Sequence, residues 1–130
     1  MKREDIREQT MQLVFQMDVA NDFNYENLSV LEENTKVISK KQAVTTLEAI
    51  RDNISDIDET INRNTDNWNP GRIAKTDLAI LRTAVAEMKY IDDIPTAVSI
   101  NEAVNLAKKY GDDKSYAFVN SVLSRINKEN

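Results

Sequence analysis

The sequence predicts an all-α fold built as one domain over residues 1–130, and three observations lead there. Glycine and proline number only two each, so the chain has few of the residues that punctuate turns and break helices. Apolar residues recur at helical spacing through most of its length. At 130 residues, with 41% apolar and 30% charged residues, it can fill one core and cover it with a polar surface.

Taken in order, the first element is a helix over Arg3–Val19. Ile6, Thr10, Leu13, Val14 and Met17 fall on one stripe, and Met11, Phe15 and Val19 form a second row on an adjoining face. Two apolar rows need two surfaces to pack against, either both within the fold or one on a partner. A polar connection follows, anchored by Phe23, Tyr25 and Leu28. The next helix runs from about Lys40 to Asn53, with Val44, Leu47, Ile50 and Ile54 on one face. Ser55 then suits the N-cap of a short helix over Asp56–Asn64, repeating Ile57 and Ile61. The asparagine-rich loop Asn64–Arg72 holds the only tryptophan, Trp68, which reads as a core anchor.

The strongest helix is Thr76–Ile91, capped by Thr76, with Leu78, Leu81, Val85 and Met88 down one side. Arg82 and Glu87 sit within this apolar segment, and Arg82 reads as half of a structural ion pair. Pro95 ends the segment, because the residue before proline avoids helical angles. SINE, Ser99–Glu102, has the S-x-x-E pattern of a capping box and opens a helix to Tyr110. Gly111 fits a left-handed stop, and Asp112 or Asp113 caps a last helix to about Ile126. On that helix Val119, Val122, Leu123 and Ile126 face the core.

Composition removes whole classes of chemistry. Cysteine and histidine are absent, so there is no disulfide, no thiolate or imidazole metal site and no Ser–His or Cys–His nucleophile. Two glycines cannot build a phosphate-cradling loop. The acidic run DIDE, Asp56–Glu59, lacks the glycine and spacing of a calcium loop and reads as a solvated helix face. Nothing selects a catalytic carboxylate pair, so the expectation is a non-enzyme without cofactor or metal. The start MKREDIREQ has no apolar leader and no run is long enough to span a bilayer, which reads as a cytoplasmic protein.

Charge is unevenly placed. Residues 1–65 hold eight Lys/Arg against thirteen Asp/Glu, while residues 66–130 hold nine of each. Any nucleic-acid site is therefore a local patch. One candidate is KKYGDDKSYAF, Lys108–Phe118, where three lysines and three aromatics surround a glycine. Lys108 and Lys109 suit a helix C-terminus, where each gains about 0.3–1 kcal/mol from the dipole. Lys114 stands at a helix start and has no such reason. Tyr116 and Phe118 lie about 200° apart around a helix, so they cannot both face one core. An exposed ring beside lysines suits single-stranded nucleic acid, since a ring stacks a base for about 1–3 kcal/mol.

The string from Asp77 to Ile126 resembles the NusB family of bacterial antitermination factors. It does so through ILR at Ile80–Arg82, Glu87, IPTAVSINEAVNLAKKYG at Ile94–Gly111 and FVNSVL at Phe118–Leu123. REQTMQLVFQMD, Arg7–Asp18, is similar to the family's first helix. The resemblance implies a compact bundle of about six to seven helices in two packed helical subdomains. It also implies binding of boxA RNA together with NusE, a small-subunit ribosomal protein, within the RNA polymerase antitermination complex that supports ribosomal RNA synthesis. Carried over by position, RNA contacts fall on Lys2, Arg3 and Arg7 and on Lys114, Tyr116 and Phe118. NusE contacts fall on Phe15, Val19 and Asp77. The free protein is expected to be a monomer or a homodimer.

Three departures stand out. The N-terminal bases are interleaved with Glu4, Asp5 and Glu8, which weakens the electrostatic part of RNA binding. Ser121 replaces the glycine that usually ends FVNG, and Lys114 occupies a position that is often acidic. Asn101 and Asn120 match the family strongly and read as hydrogen-bond partners of neighbouring helix ends rather than RNA contacts. The alternative function is a helical protein-interaction module of the same fold with little RNA affinity, which the acidic N-terminal half favours.

Overall fold

The computed structural model describes residues 1–28, 34–66 and 73–129. Within them the chain forms six α-helices and one 3₁₀ turn: α1 (Arg3–Ala20), the turn Tyr25–Leu28, α2 (Thr35–Ile38), α3 (Lys41–Arg63), α4 (Lys75–Tyr90), α5 (Thr96–Tyr110) and α6 (Ser115–Glu129). The expected all-α class holds. Trp68 lies outside the described residues.

Helix α4 is the element the rest packs around. It touches α1 and α3 on one side and α5 and α6 on the other, and every residue from Asp77 to Glu87 is buried. Its apolar residues reach all round the helix, which is why it sits inside rather than on the surface. The first half, α1 to α3 with the 3₁₀ turn, and the second half, α4 to α6, each close on themselves and meet along α4. Leu13, Val14, Met17, Leu47, Ile50, Ile57, Ile61, Leu81 and Leu123 are fully buried between them. Met11 is buried too, so the second apolar row of α1 begins inside the fold.

Several charged groups in and around this core are paired. Arg82 donates to Asp58 on α3 at 2.9 and 3.0 Å, reaches Asp18 on α1 at 3.4 Å, and lies 4.8 Å from the Phe23 ring. Lys89 donates to Asp56 at 2.7 Å and to Thr60 at 3.0 Å, and the Tyr90 hydroxyl also donates to Asp56. These bonds, Lys89's first, hold the Asp56 carboxyl below its ordinary range. The DIDE run is therefore no mere solvated face, because two of its acids fasten α3 to α4.

Helix boundaries depart from the sequence reading where side chains find tertiary partners. The two segments expected on either side of Ser55 are two helical stretches of α3 joined across a kink at Asn53, where the first was expected to end (φ −133°, ψ 22°), its side chain donating to the Ala49 carbonyl at 2.9 Å. Helix α4 starts after Ala74, so Thr76 lies inside it rather than capping it. SINE does not cap α5. That helix starts at Thr96, directly after Pro95, and Ser99 is buried in its first turns with its hydroxyl donating to Glu87 at 2.9 Å.

Candidate RNA and partner interface

The joint between α5 and α6 is built locally. Asp112 accepts from the Lys114 and Ser115 backbone N–H groups at 2.9 and 3.1 Å and from the Ser115 hydroxyl at 3.2 Å. The Asp112 N–H in turn donates to Ser115 Oγ at 3.1 Å. The Lys114 N–H first, then the Ser115 hydroxyl, hold the Asp112 carboxyl below the usual carboxylate range. This is the capping role expected of Asp112.

Gly111 is not in the left-handed conformation expected of it; its backbone is extended, at φ −96° and ψ −176°. Room is what requires glycine there. A Cβ at this position would lie 2.3 Å from Ser115 Cβ and Oγ and 2.8 Å from the Ala107 carbonyl oxygen.

The joint sets Lys114 and Tyr116 outward. Tyr116 is 42% exposed, and the Lys108 ammonium stands 5.3 Å from its ring centroid. Phe118 is half-buried and packs against the core, so of the two rings Tyr116 is the open one. Lys109 is engaged by Glu8 of α1 at 2.7 Å, and Gln12 of α1 donates to the Tyr110 hydroxyl at 2.9 Å. These two contacts bring the second and third turns of α1, rather than its start, alongside the end of α5.

At that start Lys2 and Arg3 are exposed. Arg3 borders a cleft of about 450 Å³ whose lining carries three carboxylates, Glu4, Asp93 and Glu102, and two further cations, Arg7 and Lys41. Arg7 lies deeper than Lys2 and Arg3. Only 8% exposed, its guanidinium donates to Glu87 at 2.8 and 3.0 Å, and Glu87 also takes the Ser99 hydroxyl. Burial opposes the charge on Arg7, yet the Glu87 bonds outweigh it and the guanidinium is held more firmly protonated than usual. Its Nε and Nη2 are both taken by Glu87, although its side chain also borders the cleft that holds Arg3.

The residues expected to meet NusE spread over a second face. Val19 is 62% exposed and Phe15 is half-buried. Phe15 lines a cleft of about 490 Å³ together with Gln12, Gln16, Thr76 and Tyr110. Asp77, in the first turn of α4, is 7% exposed, and its Oδ1 has no hydrogen-bond donor among the described residues. Burial pushes the Asp77 carboxyl above its usual range, and the Ser115 hydroxyl works against that. Sequence reasoning missed Gln12, Tyr110 and Ser115. The aspartate three residues before Ser115 was the available signal for that residue, but the contacts of Gln12 and Tyr110 join positions 98 apart and left none.

Among the described residues no cluster of three or more acidic side chains is set to hold a metal, and no helix is long and apolar enough to cross a membrane. Comparison with known proteins is consistent from end to end. The model of the NusB family matches residues 4–128. The chain belongs to the NusB family. A relative named transcription antitermination protein NusB, from Clostridium tetani, is 38% identical, with 99% of each chain aligned. The structure of T. maritima NusB superposes with a TM-score of 0.85 at 34% identity, covering 100% of this chain and 93% of the other. A structure of the antitermination factors NusB and NusE in complex with dsRNA superposes with a TM-score of 0.75 at 25% identity, covering 98% of this chain and 97% of that one.

Proposed function

We propose that the chain is a transcription antitermination factor that binds boxA RNA together with NusE and, within the RNA polymerase antitermination complex, supports ribosomal RNA transcription. The observation that carries this reading is the exposed Tyr116 ring, flanked by Lys108 and Lys114 on a joint that Asp112 holds in shape. A ring stacks an unpaired base and the lysines offset backbone charge, which is binding chemistry and needs no catalytic group. Lys2 and Arg3 add exposed cations at the start of α1, and Arg7 is paired with Glu87, which fixes α1 on α4.

The partner half of the reading rests on Asp77, Phe15 and Val19. A buried carboxylate oxygen without a donor in the first turn of α4 suits an arginine or lysine from NusE once local side chains give way to it, and Val19 offers exposed apolar area on α1. A second reading, a protein-interaction module with little RNA affinity, is favoured by the pairing of Arg7 with Glu87 and by the acids Glu4, Asp5 and Glu8 interleaved with the N-terminal bases.

Fluorescence anisotropy with labelled boxA RNA separates the two. Tyr116→Ala is expected to weaken binding by about tenfold or more with an unchanged Tm, since the ring is exposed. Phe118→Ala is expected to lower the Tm, because its ring packs on the core. An unchanged Kd for Tyr116→Ala favours the module, and full RNA affinity in a destabilised Phe118→Ala takes Phe118 out of the site.

A further inference from the structure

Beyond the joint, α5 and α6 leave a groove of about 650 Å³ between them. Its α5 wall carries Asn101, Val104 and Lys108, spaced i, i+3, i+7, and its α6 wall carries Tyr116 and Asn120, one turn apart. Such spacings put each set on a single helix face. Both asparagines are exposed, and neither amide bonds another group among the described residues, contrary to the expectation that they serve neighbouring helix ends.

Three features fit this groove to unpaired nucleotides. No carboxylate lines it, although the chain carries 22 Asp and Glu, and Lys108 supplies a cation. A carboxamide presents a donor and an acceptor side by side, which matches the edge of a nucleobase. The groove also runs on from the Tyr116 ring, so a strand stacked there continues into it without crossing acidic surface. A protein partner is a poorer fit. Of the large apolar side chains exposed among the described residues, only Tyr116 borders the groove, the rest of its apolar lining being Ala97, Ile100, Val104 and Ala117, whereas a protein interface is centred on a larger apolar cluster.

We propose that this groove is a second RNA subsite, which takes the nucleotides next to the base stacked on Tyr116 and reads them through the Asn101 and Asn120 amides. The inference rests on the RNA-binding reading above.

The test compares two labelled RNAs, the boxA core alone and the same core extended by a few unpaired nucleotides at either end. Extension is expected to tighten binding to the native protein by about tenfold. The double variant Asn101→Ala/Asn120→Ala keeps the native Kd for the core RNA and loses the gain from extension. Lys108→Gln lowers the slope of log K against log salt by roughly 0.7, the share of one phosphate contact on a single strand. If the native protein binds the core and extension adds nothing, or if the double variant keeps the gain, the subsite is wrong while RNA binding stands. If neither RNA binds the native protein, both readings fall. Loss of NusE affinity or of self-association in the double variant, with RNA binding intact, assigns the groove to a protein contact and overturns the proposal.

Discussion

At the level of single side chains, Glu87 on α4 accepts two hydrogen bonds from Arg7 on α1 and one from Ser99 on α5, so one buried carboxylate ties three helices. Removing one partner of a buried pair leaves the other charge uncompensated. Glu87→Ala is therefore expected to lower stability by about 3–5 kcal/mol in urea unfolding, and a loss under about 1 kcal/mol contradicts the pairing. Asp77 works in the opposite sense. Its folded pKa is raised by burial, so its contribution to stability is complete below the unfolded pKa and is lost as pH rises through the folded one. At neutral pH the ionised carboxylate costs stability. Asp77→Asn should raise the Tm at pH 7 while weakening NusE binding, and the Tm difference should shrink as pH falls into the carboxylate range. A lower Tm at pH 7 would show that Asp77 is retained for the fold and not for a partner.

At the level of elements, the joint between α5 and α6 depends on the absent side chain of Gly111. Gly111→Ala drives a methyl into Ser115 and the Ala107 carbonyl, shifts the start of α6, and is expected to cost about 1–3 kcal/mol by urea unfolding. It should weaken RNA binding as well, because Lys114 and Tyr116 ride on that turn. A native Kd in a destabilised Gly111→Ala would separate the joint's shape from the RNA face. The joint was legible in the sequence because its parts are local: glycine, the capping aspartate, lysines and rings lie within eleven residues. The core faces of α1, α3, α4 and α6 were legible for a similar reason, as apolar period survives packing. Helix starts were less so. Ser99 carries the letters of a capping box, but a glutamate twelve residues earlier captures its hydroxyl. Arg7 looked like surface charge because its partner stands 80 positions away. The burial of Asp77 comes from packing between elements rather than from its own neighbours, so no local pattern announces it.

At the level of the whole molecule, an excess of acids, 22 against 17 bases, is reconciled with RNA binding by where the charges go. Asp18, Asp58 and Glu87 are spent on Arg82 and Arg7 inside the bundle and Asp56 on Lys89 at its edge, while Lys108 and Lys114 stay exposed around the α5–α6 joint and Lys2 and Arg3 at the start of α1. So small a set of open cations makes NusE and base stacking carry much of the affinity. The measurement that tests this most directly is fluorescence anisotropy of labelled boxA RNA and a scrambled control, with and without NusE, at two salt concentrations. The account predicts tighter binding to boxA than to the scramble, a further gain with NusE, and a salt slope no steeper than about −3, as four single-strand phosphate contacts allow. Equal affinity for boxA and scramble under every condition, with NusE still bound, would contradict it and leave a protein-interaction module on the same fold.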